Sequence, residues 1–357
     1  MSIISSVLKV IVGLAMVLVV IAVALFIFTS FHISIGGPSA STGAKVLFTI
    51  EPNQTVTTVA ENLQNEGIID STFWFRTRLK LKGAESDLKA GRFQLSKGMD
   101  TDKLIDTLTT SPAEIGLRFQ VIEGMRVGEI ADKLASEGIV ATDTFKSLAG
   151  TAEGAAKFQD DFLQASGKPA DQGLEGYLFP DTYEIKQAEG DNSEAVIRKM
   201  LTTLEDKITP EMRQQIAARN QSIYNVLTVA SIVQREGKVK EELPVIAAVF
   251  WNRLNRGMKL DADPTTQYAV GKSGDWWPNL DKLGILPKDL QHPYNTYTIP
   301  ALPPGPICNP GLDAIQAAIT PDQNDYLYFV AKKAGDGSHV FAKTFEEHQR
   351  NVVENSP

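Results

Sequence analysis

The chain has 357 residues, enough for two or three domains each with its own core. Its formal net charge of −8 and pI near 5.2 offer no basic face to nucleic acid, so that class of partner is excluded. The single cysteine, Cys308, excludes an internal disulfide, and no CxxC or Cys/His cluster points to zinc.

From Val10 to Phe31 no side chain is charged, and the run is longer than the roughly 20 residues that cross a bilayer. A cleaved signal has an apolar core of only about 7 to 15 residues, so the run reads as an uncleaved, single-pass anchor. Lys9 precedes it and the next cation is Lys45, which places the N-terminus in the cytoplasm and the remainder outside. Residues 1–33 are therefore expected to be a cytoplasmic tip and transmembrane helix, and the Gly/Ser/Pro-rich residues 34–44 a linker.

Val46 to Ile50 alternates as a strand, and Thr55 to Gly67 carries Val56, Val59, Ala60 and Leu63 on one helical face. A shift of 71 positions lays Val127, Ile130, Ala131, Leu134, Glu137, Gly138 and Ile139 over Val56, Val59, Ala60, Leu63, Glu66, Gly67 and Ile68. A strand and helix unit is thus used twice, with Gly91 to Leu108 as a degenerate third. Strand, turn, cap and apolar helix in this order resemble LysM-type modules, which bind N-acetylglucosamine polymers; a purely structural spacer is the alternative. The repeat region is placed at 45–160, because Ala152 to Gly173 is polar and small.

Residues 161–357 are expected to form a mixed α/β domain, making the whole α+β. In GLEGYLFPDTYEI (173–185), Tyr177, Phe179 and Tyr183 are spaced as an aromatic face. Core packing accounts for such a face, but sugar rings also stack on one, which makes Glu175 and Tyr177 candidates for binding. In NVLTVASIVQREG (225–237), Val226, Val229, Ala230 and Val233 form the apolar stripe of an amphipathic helix, Glu236 continues it, and Gly237 offers a stop. A carboxylate on that face is raised by desolvation from about 4.3 toward 6, the range a general acid needs near neutrality; the alternative is that the stripe frays and Glu236 is an ordinary solvated residue of the last turn.

Pro244 to Leu254 reads as the next helix, closed by Gly257, with Asn252 beside its buried stripe. Leu260 to Gly271 reads as a loop carrying Asp263, Thr265, Gln267 and Tyr268, because Pro264 and the turn formers argue against a helix. Pro293 to Pro310 is a long loop fixed by prolines, and Tyr294, Asn295, Thr296 and Tyr297 at its start suit sugar hydroxyls. A helix over 311–319, a hairpin pairing 326–331 with 339–342, and a last helix over 344–353 opened by a Thr344/Glu347 capping box complete the chain. His32, His292, His339 and His348 have no ligand spacing and Ser231 lacks a GxSxG elbow, so neither a metal, a cofactor nor a serine nucleophile is implied.

The ordered set LEGYLFPDTYEI, ASIVQRE, VFWNRL, GMKLDADPTTQYAVG, YNTYTIPALPPGPICNPG, YLYFV and T-EEH resembles the YceG-like endolytic murein transglycosylases (MltG) over almost the whole chain. That resemblance implies an anchored enzyme at the cell inner (cytoplasmic) membrane, with its catalytic domain in the periplasm. It would cut nascent peptidoglycan glycan strands internally and leave 1,6-anhydro-N-acetylmuramic acid ends, beside cell-wall synthases. The family's motif reads SIVEKE; here Gln234 takes the first acidic position and Glu236 the second, so the family's essential acid carries over onto Glu236 alone. Asn252, Asp263, Gln267, Tyr294 and Asn295 also match family positions, and Tyr268 and Tyr297 flank them. Two other readings stay open: a non-catalytic wall-binding scaffold, and a water-using muramidase with Asp263 as second carboxylate.

Overall fold

The computed structural model describes residues 45–110, 116–158, 160–186 and 191–355, together with Met16, Val20 and Ile21. The anchor expected over 10–31 otherwise lies outside the described residues, among which no helix is long and apolar enough to cross a membrane. The chain divides into two compact units, with the division between Pro112 and Ala113.

In the first unit, β1 (Lys45–Ile50) leads into α1 (Val56–Asn65) and α2 (Thr72–Leu81), and β2 (Gly91–Ser96) returns antiparallel to β1 before α3 (Thr101–Thr109). Thr55 caps α1 by accepting the Thr58 N–H, and the buried side chains Val59, Ala60 and Leu63 turn its apolar stripe inward. Phe48, Ile50, Phe75, Leu79, Phe93, Leu95, Leu104, Ile105 and Leu108 are the other buried large apolar side chains of β1, α2, β2 and α3.

The second unit opens with β3 (Leu117–Gln120), α4 (Val127–Ser136) and α5 (Thr142–Gly150), followed by the short α6 (Ala152–Ala155) and α7 (Asp161–Ala165). Strand β4 (Thr182–Ile185) then pairs antiparallel with β3. Helices α8 (Ser193–Lys207), α9 (Pro210–Ala218), α10 (Ile223–Glu236), α11 (Leu243–Asn255), α12 (Asp263–Val270) and α13 (Leu312–Ile319) follow, and the hairpin β5 (Tyr328–Ala331) and β6 (His339–Ala342) precedes α14 (Phe345–Asn355).

The repeat holds down to single hydrogen bonds. Helices α1 and α4 begin 71 residues apart, and each ends on a glycine in the left-handed region, Gly67 at φ 66° and Gly138 at φ 71°. The following amides close the turns alike, Ile68 to the Leu63 carbonyl at 2.9 Å and Ile139 to the Leu134 carbonyl at 2.8 Å. The segment 91–108 completes the first copy rather than starting a third, because β2 is the partner of β1. The expected boundary near 160 falls inside the second unit, where Ile130 and Leu134 of α4 share one core with residues of α8 to α13.

Helix α10 runs through that core. Ser222 caps it by accepting the Asn225 N–H at 3.1 Å, and every residue from Ile223 to Val233 except Asn225 is buried. The sequence foretells a stripe; the structure buries the helix nearly all round between α11, α12 and α13. Thr228 and Ser231 tolerate this because their hydroxyls donate to the carbonyls of Tyr224 (2.8 Å) and Thr228 (2.7 Å) within the helix. The loop expected over 260–271 is corrected by α12, since a proline in a first turn removes an N–H that has no helical partner anyway.

Candidate active site

Glu236 is the last residue of α10, and Gly237 ends the helix in extended backbone at φ −87°. Close packing rather than a left-handed turn requires that glycine, because a Cβ would stand 2.3 Å from Leu243 Cδ2. Glu236 is half-buried. Burial pushes its pKa up to about 8, the charge of Asp263 adds to the rise, and Arg235 opposes it.

Asp263 is exposed at the first position of α12, and its Oδ1 accepts the Tyr297 hydroxyl at 2.8 Å. Two threonines hold these residues together. Thr296 Oγ1 accepts the Ala262 N–H at 3.1 Å and lies 2.9 Å from Thr265 Oγ1, which pins the start of α12 to the turn that carries Tyr297. A cleft of about 550 Å³ opens here, lined by Asp263, Gln267, Asn279, Asp281, Lys288 and Tyr297 among others. Glu236 does not line it, yet its carboxyl lies close enough to two lining residues to raise the Tyr297 pKa and to feel the charge of Asp263.

The second half of the proline-rich loop is buried from Gly305 to Gly311 and packs along α10. Buried loops are rare because their backbone polar groups need partners; proline removes donors, and side chains meet the rest. Tyr224 donates its hydroxyl to the Pro304 carbonyl at 2.6 Å, Ser231 Oγ accepts the Ile307 N–H at 3.0 Å, and Gln234 Oε1 accepts the Gly311 N–H at 2.8 Å. Asn309 is fully buried. Its amide donates to the Met125 carbonyl and to Glu175 Oε1, each at 3.0 Å, and accepts the Leu178 N–H at 2.8 Å.

Glu175 also accepts the Val127 N–H at 3.1 Å at the start of α4. Burial pushes its pKa up to about 7, against the nearby Arg126 charge and the Val127 N–H, with Glu129 adding to the rise. Arg126 in turn stacks 4.0 Å from the centre of the Tyr268 ring and donates to the Trp276 carbonyl at 3.0 Å. Tyr268 and Tyr294 have ring centres 4.7 Å apart, while Arg235 lies 3.9 Å over the Trp277 ring.

The structure thus lines one cleft with Asp263, Gln267 and Tyr297, brings Glu236 within electrostatic reach of Asp263 and Tyr297, and joins Glu175, Tyr268 and Tyr294 through Arg126. Three expectations are corrected. Tyr177 is wholly buried with its hydroxyl on Ser166 at 2.8 Å, so its ring offers sugar no face. Asn295 is wholly buried, its amide donating to the Pro287 and Leu290 carbonyls and accepting from Thr266 and the Tyr297 N–H. Asn252 gives both its N–H groups to the carbonyls of Asn324 and Tyr326, which ties the approach to β5 onto α11. Sequence reasoning missed Arg126, Asn309 and the Trp276–Trp277 pair; only the tryptophans carried a local signal, two large aromatics in the turn-rich stretch SGDWWPNL. Among the described residues no group of three or more His, Cys, Asp or Glu side chains is arranged to hold a metal ion.

The profile of the YceG-like family matches residues 48–354. Over 310 residues the chain is 34% identical to an endolytic murein transglycosylase of Bacillus subtilis (strain 168), an alignment covering 84% of this chain and 82% of that protein. It is 35% identical over 326 residues to an endolytic murein transglycosylase of Streptococcus pneumoniae, covering 85% of this chain but only 57% of that longer protein. The crystal structure of a YceG-like protein from Listeria monocytogenes, 29% identical, aligns with a TM-score of 0.53 over 87% of this chain and 99% of its own.

Proposed function

The chain belongs to the YceG-like family, and we propose that it is an endolytic murein transglycosylase that cuts peptidoglycan glycan strands internally, with Glu236 as general acid and base. The observation that carries this reading is a carboxyl within electrostatic reach of the cleft residues Asp263 and Tyr297, with a pKa near 8, which holds a transferable proton at neutral pH.

Glu236 protonates the glycosidic oxygen, and the bond from that oxygen to C1 breaks toward an oxocarbenium-like centre. The carboxylate left behind takes the proton of the substrate's own C6 hydroxyl, whose oxygen bonds to C1 and closes the 1,6-anhydro ring. No water enters, Glu236 ends protonated, and the intramolecular nucleophile acts at high effective molarity. The charge of Asp263, felt at Glu236, supports a role for this carboxylate in stabilising the positive charge that develops at C1. The same carboxylate favours one rival: a muramidase in which Asp263 activates water for attack at C1.

The uncharged run from Val10 to Phe31 supports a single-pass anchor at the inner membrane, with the second unit in the periplasm near the glycan and its synthases. The paired strand and helix units support a LysM-like hold on the strand. The test is the length distribution of uncrosslinked glycan strands exposed to the full chain. Internal cuts shorten the mean length early without release of small end products. Glu236→Gln removes the proton at nearly constant volume, with an expected loss on the order of 100- to 10,000-fold; undiminished cutting would end the assignment.

A further inference from the structure

Helix α2 has two unlike faces. Phe75 and Leu79 are buried, and Arg78 and Lys82 turn to α3, where Arg78 donates to Asp102 at 2.7 and 2.6 Å and Lys82 to Asp106 at 2.7 Å. The opposite side exposes Phe73 at 66%, Leu81 at 69% and Trp74 at 41%, with the Phe73 and Trp74 rings edge to face at 5.2 Å. At 100° per residue, Arg76 and Lys80, both exposed, fall on the same side, next to Phe73. The ten residues of α2 hold three cations and no acid.

We propose that this outer face of α2 lies on the anionic headgroup surface of the bilayer, with Phe73, Trp74 and Leu81 in the interface and Arg76 and Lys80 on lipid phosphates. The inference rests on the reading of residues 10–31 as a membrane span. Two observations choose lipid over other occupants. First, only the 13 residues 32–44 separate that span from β1, and a chain of that length spans at most about 45 Å, so the first unit cannot leave the neighbourhood of the membrane. Second, the face combines a tryptophan, a phenylalanine and an aliphatic tip with two cations that form no ion pair among the described residues, and α2 itself has no acid, the composition of an interfacial helix on an acidic surface. A sugar-binding face would add neutral hydrogen-bonding groups to its rings, and this side of α2 offers, besides its two cations, only Thr77, whose hydroxyl is donated to the Phe73 carbonyl at 2.8 Å.

The full chain, reconstituted into vesicles of phosphatidylcholine and phosphatidylglycerol with brominated acyl chains, provides the test. Of the four tryptophans only Trp74 lies on this face. Tryptophan emission should be quenched in the wild type, and Trp74→Phe should remove that quenching. Arg76→Glu with Lys80→Glu, or vesicles of phosphatidylcholine alone, should reduce it severalfold. Equal quenching of wild type and Trp74→Phe in vesicles that retain the protein after alkaline washing would overturn the proposal while leaving the anchor intact. Loss of the protein on washing would overturn the anchor and the proposal with it. A Trp74 signal that responds to N-acetylglucosamine oligomers and not to brominated lipid would assign the face to glycan, and one that follows protein density would assign it to a second copy; both outcomes overturn it.

Discussion

The side-chain oxygen of Gln234 accepts the backbone N–H of Gly311 at 2.8 Å, which fastens the last turn of α10 to the end of the buried loop beside it. The residue at the first acidic position of the family motif therefore serves the frame around Glu236. Gln234→Ala leaves a buried N–H without its partner and should lower unfolding free energy by about 1–3 kcal/mol in urea titrations. Gln234→Glu keeps an acceptor but adds a charge near Glu123, whose carboxyl crowds Gly311, so a smaller loss is expected. Glycan cutting by Gln234→Glu should stay far above that of Glu236→Gln.

The pH dependence of cutting follows from the Glu236 pKa. An acid that titrates near 8 loses its proton as pH rises, so the rate should fall on the alkaline side with a midpoint near 8. Asp263 raises that pKa by its charge, so Asp263→Asn should move the alkaline limb to lower pH. An unmoved limb would separate the two carboxyls electrostatically.

Stability should have its own pH dependence. Glu175 and Glu236 keep their protons to about 7 and about 8 in the folded chain, against an ordinary glutamate value of 4.5. Between those limits the folded state binds more protons than the unfolded one, so their contribution is fully present below about pH 4.5 and is lost as pH rises toward 8. Urea unfolding at several pH values should show this decline. Glu236→Gln should remove the part that extends to 8, and Glu175→Gln the part that ends near 7.

Gly176 holds φ at +85°, and a Cβ there would stand 2.5 Å from the Pro306 ring. Gly176→Ala therefore meets backbone strain of about 1–2 kcal/mol and a clash with the buried loop. A clear drop in thermal midpoint is expected, together with slower cutting, because the same loop carries Asn309 and through it Glu175.

What the sequence made legible was local. The 71-residue repeat, helices α10, α11 and α13, and the Thr344/Glu347 capping box, seen as the Glu347 N–H on Thr344 Oγ1 at 3.2 Å and the Thr344 N–H on Glu347 at 3.3 Å, each rest on spacings of a few residues. The rest depends on partners far along the chain. Asn252 reads as a sugar ligand because the carbonyls that take its amide lie 72 and 74 positions on, and Arg126 stands 150 positions from the Trp276 carbonyl it meets. Helix α12 was hidden by Pro264, which marks a loop or a first helical turn equally well.

The mass of the products is the most direct measure of what Glu236 does. Uncrosslinked glycan of known composition is digested by the full chain and by Glu236→Gln, and the released saccharides are weighed by mass spectrometry. Transglycosylation conserves mass and leaves 1,6-anhydro-N-acetylmuramic acid ends, which should form with the wild type and be absent with Glu236→Gln. Reducing ends heavier by one water per cut would contradict the intramolecular mechanism and shift the chemistry to Asp263, while anhydro ends made at full rate by Glu236→Gln would remove Glu236 from it.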